Sequence, residues 1–154
     1  MSYRDFTTAM KQLPELPYFA SVPLASMTDL KRAERIFGKR FSRQNRLFYK
    51  KLNYATFAGV ELLGIIPEHL LCRMHADAIV LLDMERSTKK LPPRWLPLCD
   101  LDDGYFAYLD YSQRNAMGEP PVISVLSTLS GYCSIEVIAK DLGEFLLLLA
   151  RKMT

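Results

Sequence analysis

The chain has 154 residues, a formal net charge of +3, and 49% hydrophobic against 24% charged residues. That length suits one domain that can bury a core without disulfides or a structural metal, and that balance excludes a disordered tail. Residues 1–51 carry eleven Lys and Arg against four Asp and Glu (+7), and residues 52–154 carry nine against thirteen (−4), so two surfaces of opposite sign are expected.

Tyr3–Leu13 predicts a short helix, stopped by Pro14 and Pro17, and the three prolines of Leu13–Pro23 predict an extended connection. Residues 1–25 are thus expected to form an N-terminal extension packed on a single domain within 1–154. Ser26 with Asp29 three residues on is a capping box, followed by Leu30, Ala33 and Phe37 at helical spacing and a stop at Gly38. Phe41–Leu52 predicts a second helix capped by Ser42, with Leu47, Phe48 and Leu52 as its buried stripe. Gly59–Ile66 is a short apolar run between glycine and Pro67 and predicts a strand, while the length and charged tail of Ala76–Lys90 favour a helix. Beyond Pro92-Pro93, three short apolar segments (Trp95–Cys99, Gly104–Tyr111 and Pro121–Leu126) alternate with turn residues, the pattern of an antiparallel meander. Ser134–Ala139 is a further strand candidate. Asp141 caps a closing helix whose Leu142, Phe145, Leu146 and Leu149 share a face that Leu147 and Leu148 widen almost all round. The resulting fold class is α+β, a mostly antiparallel sheet covered by helices from both ends of the chain.

No apolar stretch resembling a secretion signal lies between Met1 and Gln12, and the longest apolar run, Phe145–Ala150, is far short of the ~20 residues a membrane span needs. Cys72, Cys99 and Cys133 are an odd set without a close pair, the pattern of reduced thiols in the cytoplasm.

Several groups of residues are candidates for chemistry. His69, Cys72 and His75 recur every three residues, a spacing that can place metal ligands on one helix. A zinc site needs a further ligand or a bound water, and Leu70, Leu71 and Met74 make the segment apolar, so partly buried histidines and a core thiol are the better reading. No glycine-rich turn beside Cys72 offers an oxyanion site, which argues against a Cys–His nucleophile. Asp100, Asp102, Asp103 and Asp110 are the densest acidic group, and a solvated turn with Gly104 in the left-handed region explains them without catalysis. The basic run Lys39, Arg40, Arg43, Arg46, Lys50 and Lys51 is the strongest electrostatic feature, and Arg43, Arg46 and Lys50 fall on one helical face. With Tyr49 and Tyr54 nearby, that face suits an acidic protein surface, or a phosphate backbone with bases stacked on the rings. A glycine-rich phosphate loop, a nucleophile elbow and HExxH are all absent, so no catalytic or metal-binding residue is assigned and no cofactor is expected.

The order of segments also resembles a known family. A helix ending at Ile36-Phe37-Gly38 leads to Phe48-Tyr49-Lys50-Lys51-Leu52-Asn53, then Gly59-Val60-Glu61-Leu62-Leu63-Gly64 and Trp95-Leu96-Pro97-Leu98. Asp103-Gly104-Tyr105-Phe106-Ala107-Tyr108-Leu109-Asp110, Glu119-Pro120-Pro121-Val122 and Leu142-Gly143-Glu144-Phe145-Leu146 follow. From about Asp29 to Ala150 the chain resembles the SUKH superfamily, which holds bacterial toxin-immunity proteins and relatives of fungal cell-wall-synthesis regulators. The resemblance implies a curved, mostly antiparallel sheet flanked by helices, and a non-enzymatic module that binds other proteins. It further implies an immunity protein that neutralises a polymorphic or contact-dependent toxin by direct binding, with a cognate toxin domain as partner. A housekeeping adaptor of the same fold and a nucleic-acid-binding module using the basic helix are the rival readings. The expected partner contacts are Arg43, Arg46, Lys50 and Tyr54 on the basic side, and Asp102, Asp103 and Tyr105 in the acidic turn.

Overall fold

The computed structural model describes residues 2–24, 26–66, 78–88, 91–129 and 131–153. Helix α1 (Ser2–Gln12) runs into a single 3-10 turn at Leu13–Glu15 that contains Pro14. The connection that follows is extended as expected, but it also holds a short strand, β1 (Ala20–Val22), between Pro17 and Pro23. Helix α2 (Met27–Phe37) begins where the capping box predicts: Ser26 Oγ accepts the Asp29 N–H at 3.3 Å. It buries Leu30, Ala33 and Phe37, and ends at Gly38, whose φ of 91° lies in the left-handed region. Helix α3 (Arg43–Lys51) is capped by Ser42, which accepts the Asn45 N–H.

The strand expected over Gly59–Ile66 is one arm of a hairpin. β2 (Tyr54–Phe57) and β3 (Val60–Leu62) pair across Ala58 and Gly59, both at positive φ (47° and 82°). Alanine rarely takes that conformation, so the turn carries a weak local signal and β2 was not expected. The helix favoured over Ala76–Lys90 is α4 (Ala78–Thr88). The meander follows as β4 (Trp95–Asp102), β5 (Tyr105–Asp110), β6 (Val122–Thr128) and β7 (Gly131–Ala139), and α5 (Leu142–Lys152) closes it behind the Asp141 cap.

Among the described residues the sheet has seven strands in the order β1-β2-β3-β4-β5-β6-β7, with every neighbouring pair antiparallel. This is the expected α+β architecture. Cross-strand rows identify what each face presents, because paired residues share a face. One face carries the buried rows Leu96–Leu109–Val122–Ala139 and Ala55–Leu62–Cys99–Ala107, in one core with Phe6 and Ala9 of α1, Leu13 of the turn after it, Phe48 of α3, and Leu142, Phe145 and Leu146 of α5. The other carries Tyr108 beside Ile123, and here α4 docks, its Glu85 accepting both the Tyr108 and the Tyr132 hydroxyls at 2.6 and 2.8 Å. Helix α1 packs along α5. Leu148 is 49% exposed, so α5 is not apolar-packed all round: its outer side stays in solvent.

Asn53 joins the helical and sheet halves. It is fully buried at φ 60°, its Oδ1 accepts the Ile65 N–H at 2.7 Å, and its Nδ2 donates to the Ile65 carbonyl at 2.8 Å. Asparagine suits both demands, since it tolerates the left-handed region and its amide copies a backbone pairing.

Candidate functional site

Ser42, Gln44, Asn45, Tyr111, Glu119 and Asp141 form a buried polar cluster that sets the start of α3. The Tyr111 hydroxyl accepts the Ser42 N–H at 2.9 Å and the Asn45 amide at 2.7 Å. The Gln44 N–H donates to Glu119 Oε2 at 3.2 Å, and Gln44 Oε1 accepts the Gly143 N–H at 2.8 Å, tying α3 to the start of α5. Beyond the Ser42 and Asp141 caps, these roles were not expected from the sequence, yet a signal exists. Gln44 and Asn45 precede Phe48 by four and three residues, so two polar residues sit on the buried side of the helix.

Burial pushes the Glu119 carboxyl above its ordinary range, and neighbouring Asp141 adds to the shift, against the opposing Gln44 N–H and Arg114. A carboxyl whose folded value is raised binds its proton more tightly folded than unfolded. Stability should therefore fall as pH rises from about 4.3, the unfolded value, through the folded one, and level off above it. Glu119→Gln is accordingly expected to gain stability over the wild type progressively across that window, read as urea midpoints at a series of pH values. A midpoint difference that does not vary with pH would contradict this account.

Anchored this way, α3 presents the basic residues. Arg43 and Lys50 are exposed, and the Arg43 guanidinium lies 3.9 Å from the centre of the Tyr3 ring on α1. Arg46 is only half-exposed and faces Glu34 of α2, with Nε 3.6 Å from Oε2. Leu47 is half-buried, and Tyr49 is 1% exposed, packed on Phe41 and Phe48. The stacking ring assigned to Tyr49 is therefore a core side chain. Tyr54 stands apart on β2, its hydroxyl donating to Glu61 Oε2 at 2.6 Å, where burial and the Glu61 carboxylate push its pKa up to about 12.

Asp102 and Asp103 occupy the β4–β5 turn with Gly104, all three at positive φ (70°, 55° and 86°), and Tyr105 opens β5 at 37% exposure. A hollow of about 290 Å³ beside this turn is lined by Glu85, Asp100, Asp102, Asp103, Phe106 and Tyr108. Asp110 does not belong to it. It is 3% exposed, pairs with Trp95 at the other end of the hairpin, and accepts from Ser112 and Gln113 at 2.5–3.0 Å. The expected solvated aspartate is thus a buried turn-former.

The expected contact residues fall into separate places. The start of α3 is bonded to Tyr111, one residue past the Trp95–Asp110 end of the hairpin, whereas Asp102, Asp103 and Tyr105 lie at the opposite end, about 20 Å along the strands. The basic and acidic halves are therefore two surfaces. His69, Cys72 and His75 lie outside the described residues, and among the described residues no three His, Cys, Asp or Glu side chains are gathered to hold a metal. No helix among them is long and apolar enough to cross a membrane.

Comparison with known proteins agrees with this architecture. A crystal structure of a protein from Pseudomonas syringae pv. tomato is similar in fold, with a TM-score of 0.61 at 12% identity over 90% of this chain and 93% of that one. No curated protein matches the sequence. The SUKH model described as SMI1-KNR4 cell-wall matches residues 27–146, from the first residue of α2 into α5. A match over that span, on a sheet and helices of this order, means that the chain belongs to the SMI1-KNR4 cell-wall family of the SUKH superfamily.

Proposed function

We propose that this chain is a non-enzymatic protein-binding module, an immunity protein that neutralises a cognate toxin by occupying it. Its family membership supports the reading most directly, since binding, rather than chemistry, is the family's general mode of action. The site geometry agrees: its buried polar groups are spent on holding helices in place, and its exposed charges form two separate surfaces with aromatic or Arg anchors. Blocking a partner needs no more than a standard interface of about 1,600 Å² and a few such anchors. Arg43, Arg46 and Lys50 make up one proposed contact surface; Asp102, Asp103 and Tyr105 make up the other. Tyr54, turned to Glu61, contributes at most its ring edge. Nucleic-acid binding is the weaker reading because, of the two rings it calls for, Tyr49 is in the core and Tyr54 stands apart on β2, bonded to Glu61.

The test is capture of bound species by the tagged chain from its own cells, washed at low and high salt, followed by expression of the captured protein with and without this chain. One stoichiometric protein that survives high salt, stops growth alone and is silenced by co-expression is the expected result. A captured protein without toxicity would favour the adaptor reading, and nucleic acid alone, lost at high salt through counterion release, would sink the proposal.

A further inference from the structure

Helices α1 and α3 leave a groove between them. At one end a cleft of about 200 Å³ is floored by Phe6, Met10, Leu47 and Leu52 and edged by Lys11 and Lys51. At the other a hollow of about 400 Å³ has Phe41 and Leu47 within it and Arg40, Arg43, Arg46 and Lys50 around it. The two share Tyr3 and Leu47, so they adjoin, and the Arg43 guanidinium stacks on the shared Tyr3 ring. Six cationic side chains line this groove, and among the described residues no Asp or Glu does. Glu34 is the nearby carboxylate, and it already serves the Phe41 N–H at 2.7 Å and Arg46.

An apolar floor beneath a cationic rim excludes partners that match only half of it. A phosphate backbone would satisfy the rim and leave Met10 and Leu47 without contact. The Tyr3 ring, moreover, already has the Arg43 guanidinium on its face. A plain apolar segment would fill the floor and leave the cations uncompensated. We infer that the α1–α3 groove receives an acidic segment of a partner polypeptide, with an aliphatic or aromatic side chain seated over Leu47 and Asp or Glu side chains on either side. Opposite charge across an interface fixes register and speeds encounter, and an apolar anchor in a concave site supplies most of the affinity. This inference rests on the protein-binding reading above and names which surface and which chemistry it uses.

Selection of a displayed library of random twelve-residue peptides on the immobilised chain tests it. The expected yield is peptides in which Asp or Glu flank Leu, Ile, Phe or Trp. Their affinity should fall about tenfold or more in Arg43→Glu/Lys50→Glu and stay within a factor of about two in Arg94→Glu/Lys140→Glu, which changes the net charge equally on exposed residues outside the groove. Peptides without acidic residues, equal loss in both double variants, or tighter binding of a single-stranded oligonucleotide at matched charge would each overturn the assignment. The captured natural partner separates this failure from failure of the parent proposal. A toxin that binds Arg43→Glu/Lys50→Glu with unchanged affinity overturns the groove and leaves the binding module standing, whereas groove-binding peptides without any protein partner in cells overturn the module reading.

Discussion

Gly64→Ala is expected to unfold the protein or leave it insoluble, with a loss of about 3–5 kcal/mol wherever a midpoint can be measured. A Cβ at this position would lie 2.3 Å from the Tyr54 backbone nitrogen and 2.6 Å from both the Asn53 carbonyl carbon and Asn53 Oδ1. Two of those three atoms are backbone, so no rotamer change relieves the overlap. The neighbouring chain has to move, and the Asn53 clamp on Ile65 moves with it. Two buried hydrogen bonds at about 1–3 kcal/mol each account for most of the loss, out of a total stability of about 5–15 kcal/mol. Gly118→Ala is the matched control: Gly118 has φ 81° but open space around its Cα. It should cost about 1 kcal/mol from conformation alone. Chemical denaturation of both variants checks the pair, and similar small losses would mean that the chain slides aside at Gly64 without penalty.

Tyr111→Phe isolates a single oxygen. The ring keeps its edge contact with Phe37 at 5.1 Å and its place under the Arg114 guanidinium at 4.7 Å, so packing is preserved. The hydroxyl, however, accepts from the Ser42 N–H and the Asn45 amide, and both donors are buried. Each donor left without a partner costs about 1–3 kcal/mol, so the variant should lose about 2–6 kcal/mol by urea denaturation. Asn45→Ala in the Tyr111→Phe background should then cost less than Asn45→Ala alone, because the two side chains share one bond. Equal costs in both backgrounds would mean the hydroxyl is not what holds the start of α3.

The helices were legible in the sequence because their ends are decided locally. Ser26, Ser42 and Asp141 each satisfy a backbone N–H within three residues of themselves, and Gly38 takes a conformation that other residues avoid. The short strands β1 and β2 were not, since one lies among prolines and the other turns at Ala58; only pairing with a neighbour makes either a strand. The candidate surface divides in the same way. Helical spacing placed Arg43 and Lys50 outward correctly, whereas the fates of Tyr49 and Tyr54 depended on Phe41 and Glu61, partners that the spacing does not mark. Asp110 bonds Ser112 and Gln113, two and three residues on, a local turn signal that the reading as a solvated carboxylate passed over. The groove needed α1 beside α3, a contact between segments some 40 residues apart.

Strand order that follows chain order has a consequence for how the molecule is made. Each strand pairs with the one made before it, so the sheet can grow on the ribosome in order of synthesis: β2–β3, β4–β5 and β6–β7 close through short turns, whereas β1–β2 and β3–β4 close only after the helices between them have been made. Helix α1 is the exception. It is made before the other described elements, yet its Phe6 and Ala9 need the core that α5 completes, and α5 follows every strand of the sheet. The apolar side of α1 therefore waits until the whole sheet has been made, and the groove it forms with α3 gains its second wall's anchorage only once α5 has followed β7.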